Sequence, residues 1–286
     1  MEDRDWLIVR TLHQQKNITK TAQALFISQP AMTARLRHIE TEFGVKIVQR
    51  TTKGVQFTPE GDFLAKSAAK ILAEMRDIKN EVMNLSSAVA GTLTIGASNY
   101  LTTYTLPYLL RLFKQQHPNV EFKVTTTWSK DVFSLAYNQN VHVGFVSIDY
   151  GGFNEKHLLY EEPICIASVN QVNLKELPFL PRIDYQTDHL LKAQIDKWWR
   201  ENFSHPPSVS MQVDKVATCK EMVRFGLGYA IMPSRICDDV KGIQKINLTD
   251  KAGNELTRKT WMIYNQESAA INLVRIFVDF VKNLTL

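Results

Sequence analysis

The chain has 286 residues, 44% of them hydrophobic and 22% charged, with a net charge of +5. That is room for two or three domains and excludes a largely disordered or fibrous protein. No run approaches the ~20 apolar residues of a membrane span, and the charged start Met1-Glu2-Asp3-Arg4-Asp5 lacks a secretory apolar core, so a cytoplasmic protein with no membrane partner is expected. Cys165, Cys219 and Cys237 are odd in number, widely spaced and without a Cys-x-x-Cys pair, so neither a disulfide framework nor a metal site is expected. Residues 1–60 hold nine basic against six acidic residues, a local excess that suits a polyanion partner.

In chain order, Trp6, Leu7, Val9 and Leu12 fall at helical spacing. Thr19 is a candidate N-cap for a second short helix carrying Ala22 and Leu25 inward. Ser28 caps a third, with Pro30 in its first turn, an apolar stripe of Ala31, Leu36, Ile39 and Phe43, and Gly44 as its stop. Ile47 to Phe57 reads as a hairpin with Lys53-Gly54 at its tip. Thr58-Pro59-Glu60-Gly61 then restarts a helix. Leu64, Ala68, Ile71, Met75, Ile78, Val82, Leu85 and Val89 alternate in steps of four and three among charged residues, the seam of a helical dimerisation arm.

Beyond Ser86-Ser87, strand and helix alternate. Strands are expected at 91–96, 120–127, 141–148, 164–169, 179–185, 209–214, 229–232 and 260–264. Helices are expected at 101–116 (interrupted at Pro107), 132–138, 190–202, 218–225 and 269–284. Such alternation argues a parallel α/β sheet.

The chemistry-bearing stretch is 18–37. Two short helices joined by a tight turn let the second lie in the major groove, its first residues reaching base edges. Ser28, Gln29, Ala31 and Thr33 suit that position, with Pro30 among them and Thr19 of the preceding helix a further candidate contact: Gln pairs with adenine, small apolar groups meet the thymine methyl, and free helix-start amides suit a phosphate. Arg35 and Arg37 are expected on backbone phosphates, and Arg50, Thr51 and Lys53 at the wing beside the adjacent backbone or minor groove.

Thr21-Ala22-x2-Leu25-x2-Ser28-Gln29-Pro30-Ala31-x-Thr33, followed by Ile39-Glu40, Phe43-Gly44, Arg50 and Thr58-Pro59-Glu60-Gly61, resembles the LysR-type transcriptional regulator family. The resemblance is close over the DNA-binding part and holds in outline beyond it. It implies an α/β multidomain chain: a winged helix-turn-helix over 1–58, a linker and dimerisation helix over 59–90, and an effector domain over 91–286 similar to type 2 periplasmic binding proteins. That domain would have two α/β subdomains, at about 91–162 with 266–286 and about 163–265. Promoter DNA, a second copy of the chain, a tetramer and contact with RNA polymerase are the implied partners. Two departures stand out: Ala34, where many members carry Arg, Lys or Tyr, puts a DNA contact there in doubt, and Ile47-Val48-Gln49-Arg50 replaces the common Leu-Phe-x-Arg.

Ligands in open α/β units sit at the carboxyl ends of strands. There the chain places Ser98, Asn99, Thr102 and Thr103, then Trp128 and Ser129, then Asp184 and Gln186, with Thr218 at a helix start. The resemblance assigns these segments to an effector cleft. Their hydroxyls and helix starts hint at a small carboxylate, with no cofactor. Among other readings, an enzyme finds no Gly-x-Ser-x-Gly, phosphate loop or His-Glu-x-x-His. A solute-binding protein without sequence-specific DNA reading would leave the first third unexplained, and a redox role for Cys219 and Cys237 competes with plain burial.

Overall fold

A computed structural model describes all residues except 52–53, 85–88, 148–150, 154 and 286, and describes only the backbone at 50, 80, 81, 83 and 84. The first unit packs α1 (Asp3–Gln15), α2 (Ile18–Ala24) and α3 (Gln29–Phe43) against a hairpin of β1 (Val48–Thr51) and β2 (Gly54–Phe57). Its core joins Ile8, Val9 and Leu12 to Met32, Leu36 and Ile39, and then to Leu64, Ala65 and Ala68 of the long helix α4 (Pro59–Asn84). The stripe on α4 therefore divides. Leu64 and Ala68 are spent inside the chain's own head, whereas Ile78 and Val82 are 58% and 62% exposed. Ile71 is half-buried, Met75 is exposed, and Leu85 lies outside the described residues.

Two motif residues have structural reasons. Glu40 is buried; its carboxylate accepts the Ile47 N–H at 3.1 Å and the Lys46 ammonium at 2.6 Å, closing the loop after α3. Gly61 lets the first turn of α4 ride on that loop, because a Cβ there would stand 2.0 Å from the Ile47 carbonyl oxygen. Thr58 caps the turn, donating to the Lys46 carbonyl and accepting the Gly61 N–H. The cap of α2 differs from expectation: Asn17 accepts the Lys20 N–H, and Thr19 sits within the first turn.

The remainder comprises β3 (Gly91–Ser98), α5 (Asn99–Tyr104), α6 (Leu106–Gln116), β4 (Val120–Thr127), α7 (Ser129–Tyr137), β5 (Val143–Val146), β6 (Glu155–Ser168), β7 (Arg182–Tyr185), α8 (His189–Asn202), β8 (Val209–Val213), α9 (Val216–Arg224), β9 (Ala230–Pro233), β10 (Gln244–Asn247), β11 (Thr257–Tyr264), α10 (Gln266–Ala270) and α11 (Asn272–Lys282). Single 3-10 turns occupy Leu174–Phe179 and Ser234–Cys237. A seven-stranded sheet runs in the order β10-β6-β11-β5-β3-β4, with β9 also on β6. The sheet is mixed rather than parallel throughout: β3 pairs in parallel with β4 and β5, but β11 and β6 run antiparallel to their neighbours. Beside it, β7 and β8 form a separate parallel pair.

The strand expected from residue 164 begins at 155. Its first half pairs with β11 and its second half with β9 and β10, so one continuous strand crosses from one core to the other. The first core holds Leu93, Ile95, Phe113, Phe145, Met262 and Phe277, and the second Ile164, Ile166, Trp198, Trp199 and Tyr229. The last helix breaks at Ile271, whose backbone is extended.

Candidate nucleic-acid interface and effector cleft

Helix α3 begins at a true cap, with the Ser28 hydroxyl accepting the Ala31 N–H at 3.3 Å. Ser28, Gln29, Pro30 and Ala31 are exposed, Thr33 is half-buried on the same end of the helix, and Ala34 and Arg37 are exposed. The Thr19 hydroxyl donates to the Gln29 side-chain oxygen at 3.3 Å, which orients that amide before any partner arrives. Thr51 donates to the Gly54 carbonyl at 3.2 Å within the wing. Lys53 and the Arg50 side chain fall outside the described residues. The turn before α3 carries Phe26, 93% exposed with a left-handed backbone at φ 53°, an aromatic the sequence reading passed over.

Arg35, expected on phosphate, makes an ion pair within the head. Its guanidinium forks onto Asp5, Nε to Oδ1 at 2.7 Å and Nη2 to Oδ2 at 3.1 Å, and also bonds Glu2. Asp5 is fully buried and accepts the Glu2 N–H at 2.9 Å. Arg35 is thus the counter-ion that ties α3 to the start of α1.

The second site is a cavity of about 210 Å³ where the two cores meet. Ser98, Asn99, Thr102, Thr103, Trp128 and Ser129 line one wall, as the strand-end argument anticipated. Gln186, Thr187, Asp188 and Asp214–Ala217 line the other. Two anticipated residues are elsewhere. Asp184 lines an adjoining pocket with Trp128, Gln186 and Thr187 and accepts the Arg182 Nε at 2.6 Å, and Thr218 lies in the first turn of α9 behind the lining residues 215–217. Arg258, which sequence reasoning missed, enters the cleft from β11 and donates to Asp188 at 2.9 Å. No local motif marks it; only the antiparallel return of β11 brings it there.

Most cleft hydroxyls are already committed. Thr102 donates to the Ser98 carbonyl at 3.0 Å, Thr103 to that of Asn99 at 3.1 Å, and Ser129 accepts the Ser147 N–H at 3.2 Å. Ser98 Oγ and Arg258 Nε are buried without a partner among the described residues. The first residues of α5, α7 and α9 all line the cavity. Beneath it, Glu162 accepts the Tyr100 hydroxyl at 2.7 Å and the Arg235 N–H at 3.2 Å; burial pushes its carboxyl above the ordinary range.

Residues 4–62 match the family model described as bacterial regulatory helix-turn-helix protein, lysR family, and residues 86–285 match the LysR substrate binding domain. This chain belongs to the LysR family. It is a DNA-binding transcriptional regulator with an effector-binding domain. It is 39% identical to the HTH-type transcriptional regulator YraN of Bacillus subtilis (strain 168), covering 99% of this chain and 98% of that one. It is 29% identical to the regulator YkuM of the same organism over 96% and 94% of the two chains. The fold matches the LysR family regulator CbnR with a TM-score of 0.71 at 16% identity over the whole of both chains. CbnR complexed with its target DNA matches at 0.70 and 16%, over 99% of each chain. In this LysR-family chain no helix among the described residues is long and apolar enough to cross a membrane.

Proposed function

We propose that this regulator binds promoter DNA through Thr19, Ser28, Gln29, Pro30, Ala31, Thr33 and Arg37, with Arg50, Thr51 and Lys53 at the wing, and that a small carboxylate in the cleft controls that binding. The observation carrying the effector class is the convergence on one cavity of three helix starts, the Lys215 and Arg258 cations and the unpaired Ser98 hydroxyl. Helix N-termini carry partial positive charge and unmade N–H bonds, which suit an anion. Two carboxylates also line the cavity: Asp188 already caps α8 and pairs with Arg258, and Asp214, exposed beside Lys215, leaves the two cations and the three helix starts in excess. A cavity of about 210 Å³ suits a molecule of metabolite size.

The second copy of the chain meets the stripe of Ile71, Met75, Ile78 and Val82 on α4, extended toward the head by Phe63, which is 72% exposed. A paired arm of this kind presents two recognition helices to successive major grooves. Pairing of dimers into a tetramer through the effector domains, and contact with RNA polymerase, complete the reading by family analogy, as do the cytoplasmic location and the absence of catalysis.

A thermal-shift screen of small carboxylates against their uncharged amides tests the effector class. A matching carboxylate raises Tm with concentration as mass action requires, and Ser98→Ala abolishes the shift. Equal shifts from the amides would replace this class with a neutral one.

A further inference from the structure

We infer that a second pocket, between the DNA-reading head, α4 and the outer edge of the effector domain, binds a small molecule carrying two or more negative charges, phosphorylated or polycarboxylated. The cavity is about 420 Å³. Arg10 enters it from α1, Lys66, Lys70 and Arg76 from α4, and Lys123 from β4, with the amides of Asn138 and Asn140 beside them. No lining side chain is a carboxylate.

The nearby acids are already engaged. Asp62 meets His13 at 3.0 Å. Asp77 is shared by Arg76 at 3.2 Å and His142 at 2.8 Å. Arg10, Lys66, Lys70 and Lys123 make no ion pair among the described residues, and Arg10 Nε is buried with no hydrogen-bond partner. Burial and the facing Arg76 charge push the Arg10 guanidinium below the usual arginine range.

Like charges gathered around one cavity repel one another, and the buried Arg10 Nε left without an acceptor costs free energy. Three elements bring these side chains to the border of one space. An anion offsets both costs and forms charge-assisted hydrogen bonds to several donors at once. The pocket also borders the first site. Lys123 and Thr125 line it from β4, and Thr126 and Thr127 of the same strand line the cleft. An anion held there clamps the head to the effector domain and is read by the strand that ends at the cleft.

Calorimetric titration of the full chain with inorganic pyrophosphate, at fixed ionic strength and without DNA, tests the inference independently of the cleft and of operator reading. The expected result is saturable binding of one pyrophosphate per chain. Lys70→Gln with Lys123→Gln should weaken it by about tenfold or more, and Ser98→Ala should leave it unchanged. Both lysines are exposed, so neither substitution touches the core; Lys66→Gln alone supplies a second check, with a smaller loss. Equal affinity in the double variant would overturn the proposal, as would heats no different from those of matched sodium chloride. So would a double variant that loses DNA affinity although the wild type never binds pyrophosphate, since the cations would then serve the DNA backbone.

Discussion

At the scale of single residues, two side chains of α3 that look alike on paper do different work. Gln29 is exposed, while Arg35 is folded back onto the buried Asp5. Removing one partner of an ion pair strands the other, here the buried Asp5, so Arg35→Ala is expected to lower head stability. Gln29→Ala should leave the unfolding midpoint in place and weaken specific DNA binding by about 1–3 kcal/mol. Paired urea melts and operator titrations separate the two. An Arg35→Ala protein as stable as wild type but unable to bind DNA would restore Arg35 to the phosphate backbone. The Asp5 partnership spans thirty residues of chain and leaves no local signature, which is why a cation on a recognition helix reads as a DNA contact.

Glu162, 1% exposed, is the carboxyl whose burial matters most for pH. Desolvation raises its proton affinity above the ordinary value of 4.5, against the pull of the Tyr100 hydroxyl and the Arg258 charge. A carboxyl raised by folding binds its proton more tightly in the native state than in the unfolded one. Its stabilising contribution is therefore whole below the unfolded value and is lost as pH rises through the folded one. Urea melts between about pH 4.5 and about pH 7 should show wild type losing stability relative to Glu162→Gln as pH rises. Parallel curves would mean that the carboxyl titrates alike in both states. Burial also answers the redox reading of the cysteines: it pushes Cys165 and Cys219 up to about 12 and Cys237 to about 11, leaving little reactive thiolate.

At the scale of elements, α4 shows what periodicity can and cannot say. The steps of four and three identified a long helix with one apolar stripe. They could not say that the head would claim the first part of it. Leu64 is 7% exposed and packs with Ile8, Leu12 and Ile39, so Leu64→Ala should cost about 2–4 kcal/mol of stability, as cavity-forming core substitutions do. Ile78→Glu, at an exposed position, should change the stability of the single chain by no more than about 0.5 kcal/mol yet abolish the dimer in sedimentation. An Ile78→Glu protein that still dimerises would move the interface off this stripe. Strand β6 carries the same lesson in sheet form. Its first half, Glu155 to Glu162, mixes charge and apolar residues because one side faces solvent, so only the apolar half was legible.

At the scale of the molecule, a buried histidine ties the linker helix α4 to the effector domain. His142 Nδ1 accepts the Thr94 N–H at 3.1 Å, which places the ring proton on Nε2, facing Asp77 of α4 at 2.8 Å. The ring joins the linker helix to the strand that ends at Ser98. Asp77→Ala should leave effector affinity and bare DNA affinity near wild type but shrink the coupling between them, ordinarily about 1–3 kcal/mol. Operator titrations with and without effector measure it, and undiminished coupling would route the signal elsewhere.

The sequence by itself determined the helix-turn-helix, its caps at Ser28 and Gly44, the long arm and the alternation of strands and helices. Each of these rests on neighbours a few residues apart. The strand-end rule likewise found Ser98, Asn99, Thr102, Thr103, Trp128, Ser129 and Gln186, because a chain leaving a strand must pass the crevice. Only the tertiary structure decided that Arg35 belongs to Asp5, that Arg258 enters the cleft while Asp184 and Thr218 do not, and that five cations share one pocket. Those outcomes depend on which distant segments pair, and β6 and β11, antiparallel where a parallel sheet was expected, set that pairing through contacts a hundred residues apart.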